Sequence, residues 1–308
     1  MQPAFDDMNW ADPARGGRVL PLRLRWPAGD GPCALVIHSH GLGGNRAGAA
    51  VWGEAWQAAG LAVMHLQHPG SDTDALRFGG LSALHRAAGL EQYVQRVTDA
   101  HFVLDEIERR RLAGGLWRRV RPDAIGFSGH SFGARLTQAL AGEQPPAASR
   151  GAAARLADPR PKAFIAFSPG FNERDGLDDA AVGRRFGAIA RPFLCVTGSQ
   201  DDAMIVGDAT RLARRAVYRG LPPGRKAELV LEGADHMSFG GGSGVPGRAG
   251  AALLRRVPGA AALEPRHQRI VAALSTDWWR WHLLADAAAA QRLKLPAGLA
   301  TDDVWTMG

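Results

Sequence analysis

Cysteine is scarce in this chain. Its 308 residues contain only Cys33 and Cys195, each inside an apolar, strand-like run. Two cysteines make neither a disulfide framework nor a zinc ribbon, so buried free thiols are the expectation. Lysine is scarce too. Of 37 basic residues only Lys162, Lys226 and Lys294 are lysines, so arginine carries the formal charge of +7. The arginines lie scattered in short groups, such as Arg109, Arg110, Arg111 and Arg118, Arg119, Arg121, with no aromatics interleaved. A base-stacking surface for nucleic acid is therefore not expected, and an Arg- and Ala-rich coding bias accounts for the excess. No apolar run approaches the ~18 residues of a membrane span, which excludes an integral membrane segment of that kind. The first 30 residues hold no signal-peptide core, because Asp6, Asp7 and Asp12 interrupt them. The expectation is a cytoplasmic protein, or an exported one whose signal has been removed.

The remaining composition, 46% apolar and 22% charged, is that of a globular protein and excludes a disordered chain, a collagen or a coiled coil. Segment 18–26 alternates, with Leu20, Leu22, Leu24 and Trp26 on one face, as an antiparallel edge strand does. Segments 34–37, 61–66, 124–127, 163–167, 193–196 and 229–231 are short, nearly continuous apolar runs, the pattern of buried parallel strands. Helical stretches fill the intervals at about 47–59, 90–112, 132–141, 208–219 and 265–285. In the second of these, Leu90, Val94, Val97, His101, Leu104 and Ile107 recur every three or four residues. Strand–helix alternation implies an α/β architecture, a mostly parallel central sheet with helices on both faces and an antiparallel N-terminal edge strand. Segments 71–89, 144–161, 169–191 and 238–264 are rich in Gly, Pro and Ala and read as loops or small lid elements. The stretch Gly242 to Gly247 matches G-x-G-x-x-G, but it contains a proline and has no strand–helix setting for a dinucleotide site. One domain over 1–308 is expected, with its core at about 17–285, lid segments built from loops and a C-terminal tail at 286–308.

The chemistry concentrates at Gly129-His130-Ser131-Phe132-Gly133. This G-x-S-x-G follows a strand and opens a helix, the setting of a nucleophile elbow. A serine hydroxyl is a poor nucleophile at neutral pH and needs a base beside it. His236, just after the strand at 229–231, is the candidate. The imidazole needs a carboxylate to fix its tautomer and stabilise its cation, and Asp201, after the strand at 193–196, fits. Asp202 is the alternative acid, whereas Asp235 is adjacent to the base and expected to point away. The order Ser131, Asp201, His236 has spacings of 70 and then 35 positions, room for a strand–helix unit each time. Acyl transfer also needs donors for a developing oxyanion. The Phe132 N–H, next to the nucleophile, and the Leu42 N–H, in the loop His38-Ser-His-Gly-Leu-Gly-Gly44, are the candidates. His38 and His40 have no further ligand cluster beside them in sequence, so they are read as shaping this loop and no metal is expected. Large apolar residues of the irregular segments, Phe78, Phe171, Phe186, Met237 and Phe239, are candidates to line an acyl pocket, with Phe171 and Met237 foremost as substrate-binding residues.

Together these residues resemble the α/β-hydrolase superfamily. Three stretches narrow the likeness to bacterial dienelactone-hydrolase-like proteins related to platelet-activating-factor acetylhydrolase. They are His38-Ser-His-Gly-Leu-Gly-Gly44, His65-Leu-Gln-His-Pro-Gly-Ser-Asp72 and Gly129-His-Ser-Phe-Gly133. The ending Asp235-His-Met-Ser-Phe239 and a long C-terminal helix add to it, over roughly 17–285. The resemblance implies a serine carboxylic ester hydrolase acting through Ser131, Asp201 and His236, with Leu42 and Phe132 as oxyanion donors and no cofactor. Typical dienelactone hydrolases carry a cysteine nucleophile where this chain has Ser131, so short-chain acyl esters, acetyl esters included, are the expected small-molecule substrates. The rivals are lipase, polyesterase, thioesterase or acyltransferase chemistry on the same triad, and a non-catalytic binding protein built on a hydrolase fold.

Overall fold

The apolar runs become the middle of one nine-stranded sheet in the computed structural model, which describes residues 5–77, 80–144, 156–202, 209–241 and 256–308. The strands are β1 (Asp6–Asp12), β2 (Arg18–Arg25), β3 (Cys33–Ser39), β4 (Ala62–Leu66), β5 (Val120–His130), β6 (Pro161–Phe167), β7 (Phe193–Gln200), β8 (Lys226–Asp235) and β9 (Val304–Met307). Their order is β1-β2-β4-β3-β5-β6-β7-β8-β9. Strands β4, β3, β5, β6, β7 and β8 run parallel, and the outer pairs β1–β2, β2–β4 and β8–β9 are antiparallel.

Both faces of the parallel strands are buried, so their alternation is apolar on apolar. In β3, Cys33, Leu35 and Ile37 enter one core layer while Ala34 and Val36 enter the other. Strand β6 divides likewise, Phe164 and Ala166 against Ala163, Ile165 and Phe167. The first layer is covered by α4 (Leu90–Ala113), α5 (Phe132–Ala141), α6 (Asp179–Phe186) and α7 (Arg211–Gly220). The second is covered by α1 (Ala50–Ala58), α8 (Ala260–Leu284) and α9 (Ala287–Lys294). Phe127, Phe164 and Phe193 are fully buried, each worth roughly 1.5–3 kcal/mol of burial free energy. A Cβ at Gly126 would come within 2.6 Å of the Trp279 ring, so this glycine is what lets α8 lie close on the sheet. Cys33 and Cys195 are buried free thiols, and burial pushes both thiol pKa values up.

Several sequence-based boundaries move. The segment at 18–26 is not the edge: β2 lies between β1 and β4, and β1 is the antiparallel N-terminal edge. β1 escapes an apolar search because it is acidic and mostly exposed, with only Trp10 and Asp12 buried; charge on an edge strand also discourages pairing with another chain. The segment read as a tail, 286–308, supplies α9 and the opposite edge strand β9. The irregular segment at 71–89 contains α2 (Thr73–Leu76) and α3 (Gly80–Ala87), and α6 lies within 169–191. Helix α8 begins a turn before Pro265. The glycine-rich stretch at 242–247 and Phe78 lie outside the described residues.

Candidate active site

Ser131 sits between the last residue of β5 and the first of α5, with φ 56° and ψ −111°. A non-glycine residue held there is strained, and such strain persists only where the surroundings impose it. They do so here by contact. A Cβ at Gly129 would come within 2.3 Å of the Gly133 carbonyl group, and one at Gly133 within 2.1 Å of the Ser39 carbonyl oxygen. The Ser131 N–H donates to the Phe167 carbonyl at 2.9 Å, fastening the turn to β6.

His236 opens a single 3-10 turn, His236–Phe239, directly after β8. Asp235 caps that turn: its carboxylate accepts the Ser238 N–H at 3.1 Å, and its own N–H donates to Ser238 Oγ at 3.2 Å. The same carboxylate holds Arg256 at 3.0 Å, so Asp235 is spent on structure and turned from the imidazole. His236 Nε2 lies 2.8 Å from Ser131 Oγ, and Nδ1 lies 2.8 Å from Asp201 Oδ1. This arrangement assigns the proton to Nδ1 and leaves Nε2 to accept from the serine. Asp201 is fully buried, and its other oxygen accepts from Thr197 Oγ1 at 2.9 Å. Burial alone would raise its pKa; Arg214 and His236 outweigh that and hold it well below the usual carboxylate range. Asp202, the alternative acid, caps the start of α7 instead, accepting the Arg211 N–H at 2.8 Å.

The loop after β3 packs against the elbow. A Cβ at Gly41 would sit 3.1 Å from His130 Nδ1 and 3.5 Å from Ser131 Cβ, so the loop lies in close contact with the elbow and a larger residue would press on His130. Leu42 is half-buried beside it, and its N–H has no protein acceptor among the described residues. Phe132 is the first residue of α5, where an N–H has no intrahelical partner. Two unengaged backbone donors therefore flank the serine.

No protein-family model matches the chain, and no curated protein matches it in sequence. Solved structures do match it. The ferulic acid esterase from Streptomyces cinnamoneus superposes with a TM-score of 0.57 at 19% identity, over 92% of this chain and 90% of that one. The 2,6-dihydroxy-pseudo-oxynicotine hydrolase gives 0.55 at 17%, over 92% and 70%. The chain has the α/β-hydrolase fold. A cold-adapted esterase from an Arctic intertidal metagenomic library is also similar, with a TM-score of 0.51 at 17% identity over 77% of this chain and 88% of that one.

Within this α/β-hydrolase fold the three residues picked from sequence as nucleophile, base and acid meet through two short hydrogen bonds. Phe171 does not join them. It is buried in the core, packed edge-on to Phe186 with ring centroids 5.5 Å apart and under the Arg185 guanidinium at 4.9 Å. Its loop folds back onto α6 and takes the side chain with it. Phe186 and Phe239 are likewise core residues. Met237 is half-buried directly beside His236. His38 and His40 shape the loop region: His38 Nδ1 is 3.0 Å from Ser128 Oγ, and His40 Nδ1 is 2.6 Å from the Gly41 carbonyl.

Two further residues belong to the site. Arg214 places Nε 2.7 Å from Asp201 Oδ1 and 2.6 Å from the Asp201 main-chain carbonyl, and it also donates to the carbonyls of Ser168 and Pro169. His130, the middle residue of G-x-S, has Nε2 3.0 Å from the His236 carbonyl and its ring 4.8 Å from the His236 ring. Burial first, then the neighbouring His236, lowers the His130 pKa to about 3, so its neutral Nε2–H donates to that carbonyl. Arg214 left a trace in the sequence, since it follows Ala213 and precedes Ala216 and Val217 on the apolar stripe of α7. His130 left none.

Proposed function

We propose that the chain is a serine carboxylic ester hydrolase that works through an acyl-enzyme. The observation that carries this reading is the unbroken chain Ser131 Oγ to His236 Nε2 to Asp201, at 2.8 Å and 2.8 Å, on a strained elbow. Ser131 Oγ attacks the ester carbonyl carbon while His236 Nε2 takes the hydroxyl proton. The carbonyl π pair moves onto oxygen, and the Leu42 and Phe132 N–H groups stabilise that oxyanion. Collapse expels the alkoxide, which His236 protonates. Water then repeats the sequence on the acyl-Ser131 ester, with His236 as base, and releases the acid. Every step uses groups of this chain. Two of the similar structures are named esterases, which accords with the reading.

The substrates are small esters with short acyl groups. The resemblance carried by 38–44 and 65–72 supports this, and Met237, half-buried and next to the base in sequence, is the residue assigned to bound the acyl site. A fluorophosphonate probe should label wild-type protein and not Ser131→Ala. With p-nitrophenyl esters, kcat/KM should be highest from acetyl to butyryl and decline toward octanoyl. Each methylene that fails to fit costs roughly 1–3 kcal/mol of transition-state binding. A profile rising through decanoyl or palmitoyl would replace the short-chain reading with a lipase.

A further inference from the structure

Arg96 is a cation with no exposed surface, standing on α4 among the apolar residues Val97, Ala100 and Val103. Among the described residues no carboxylate lies within ion-pair distance of it, and Asp99 and Asp72 attract it only from farther away. Its guanidinium is spent on neutral acceptors of two loops. Nη1 donates to the His40 carbonyl at 2.6 Å, and Nη2 to the Gly41 carbonyl at 3.3 Å and the Ser71 carbonyl at 3.2 Å. Nε donates to Ser71 Oγ at 2.8 Å. Its guanidinium carbon Cζ lies over the Phe132 ring, 4.4 Å from the ring centre. Burying a charge without a carboxylate in contact is costly, and an aliphatic side chain would suit this stripe of α4 better. The cost has to be offset by something the contacts accomplish.

The Gly41 carbonyl is the decisive acceptor. It belongs to the peptide unit whose N–H is that of Leu42. The peptide is trans, so its C=O and N–H point in opposite directions. That carbonyl is held by two donors, Arg96 Nη2 and His40 Nδ1. His40 is itself fixed, since its Nε2 accepts the His68 N–H at 3.1 Å. His68 in turn has Nδ1 3.0 Å from Asp99, which also binds Arg15 and Arg18. With the oxygen clamped on the Arg96 side, the Leu42 N–H is set facing away from Arg96. The same guanidinium lies against the side chain of Phe132, whose N–H is the second donor. The motifs His38 to Gly44 and His65 to Asp72, of which the proposed chemistry uses only the Leu42 N–H, thus meet at one cation. The backbones join there as well, through the Gly43 N–H to the Ser71 carbonyl at 2.9 Å.

We infer that Arg96 is the positioning residue of the oxyanion hole: it orients the Gly41–Leu42 peptide through its carbonyl and braces Phe132 through its ring, so that both N–H groups are preorganised. This inference rests on the ester-hydrolase reading of Ser131. It is tested with the full chain and two substrates of the same acyl group, an oxygen ester and its thionoester. Sulfur is the poorer hydrogen-bond acceptor, so the ratio of the two kcat/KM values reads the oxyanion donors, whereas a smaller folded fraction lowers both equally. In Arg96→Gln the oxygen-ester kcat should fall about 10²-fold, as on loss of one oxyanion donor, and the oxygen-to-thiono ratio should fall about tenfold. KM should stay within about threefold, because the lost interaction forms in the transition state. Arg96→Lys keeps the charge without the fork and should recover part of the ratio. A wild-type ratio in Arg96→Gln overturns the inference, and should that variant fail to fold, a wild-type ratio in Arg96→Lys does so. If wild type neither turns over esters nor takes a fluorophosphonate at Ser131, the ester-hydrolase reading falls and the inference falls with it.

Discussion

Arg214 binds Asp201 twice, at a carboxylate oxygen 2.7 Å from Nε and at the main-chain carbonyl 2.6 Å away. The guanidinium also reaches to 3.2 Å from His236 Nδ1. It therefore holds the acid in place while setting a positive charge beside the ring that must become cationic during acyl transfer. Both partners are buried, so removing one leaves the other charge uncompensated. Arg214→Ala should destabilise the fold by about 3–5 kcal/mol, read from urea unfolding. Arg214→Lys should cost less, because it keeps the charge and loses only the forked contacts to Ser168, Pro169 and Asp201. Equal midpoints for wild type and Arg214→Ala would show that the contacts add nothing.

The two neighbouring carboxylates make opposite forecasts. Asp201 is fully buried against His236, whereas Asp202 caps α7 and pairs with Arg211 at 3.6 Å. Asp201→Asn should lower kcat by about 10⁴, since an amide neither fixes the tautomer nor stabilises the imidazolium. Asp202→Asn should leave kcat within about twofold and lose at most the ~1 kcal/mol of a helix cap. Purified, folded variants assayed on one p-nitrophenyl ester decide the matter, and the reverse ranking would mean that Asp202 is the acid.

How far the sequence carried depends on the range of each interaction. Ser131 was legible because the elbow is local: Gly129 and Gly133 are demanded by contacts within five residues and by the adjacent β3. His236 and Asp201 were legible because each directly follows an apolar strand, and strand order in a parallel sheet limits what can meet. The edges β1 and β9 were not, because an exposed acidic strand and a four-residue strand bury too little to leave a pattern. Arg96 was hidden for a different reason, and Arg214 showed only as a break in the apolar stripe of α7. An arginine on a helix reads as surface, and only the fold shows that loop carbonyls wait for it. Phe171 was misread because distance in sequence from a strand end says nothing of which way its loop turns.

The strain at Ser131 yields a stability forecast separate from activity. At φ 56° and ψ −111° an alanine is as strained as a serine, whereas glycine adopts such angles freely. Ser131→Ala and Ser131→Gly should both lose about 10⁴–10⁶ of kcat. Relief of strain is worth about 1–3 kcal/mol, and the extra unfolded-state freedom of glycine takes back about 0.5–1 kcal/mol. Ser131→Gly should therefore be the more stable of the two by about 1 kcal/mol, as measured by denaturant titration of both. A less stable glycine variant would mean that the elbow is not strained.

Acid should unfold this protein at unusually mild pH. His38, His40, His65, His68 and His130 are buried, and burial, the largest cause in each, lowers every one of their pKa values. Those of His65 and His130 fall to about 3 and that of His68 to about 4. In the unfolded chain each histidine titrates near 6.5. Below that pH the unfolded state takes up protons that the native state refuses, so stability falls as pH falls, the loss running from about 6.5 down to the native values. At pH 5 His65, His68 and His130 each favour unfolding by about 2 kcal/mol, and His38 and His40 act in the same direction. Those three alone come to about 6 kcal/mol, within the 5–15 kcal/mol that holds a typical domain folded. Asp99 and Asp201, whose pKa values are depressed, work in the same direction at still lower pH: the stability they contribute is present above the ordinary carboxylate range and is lost as pH drops through their native values. The urea midpoint should accordingly hold steady from pH 8 to 7 and then drop sharply, with cooperative unfolding near pH 5 in the absence of denaturant. A protein equally resistant to urea at pH 8 and pH 5 would show that the buried rings are protonated in the native state or that they open to water before unfolding.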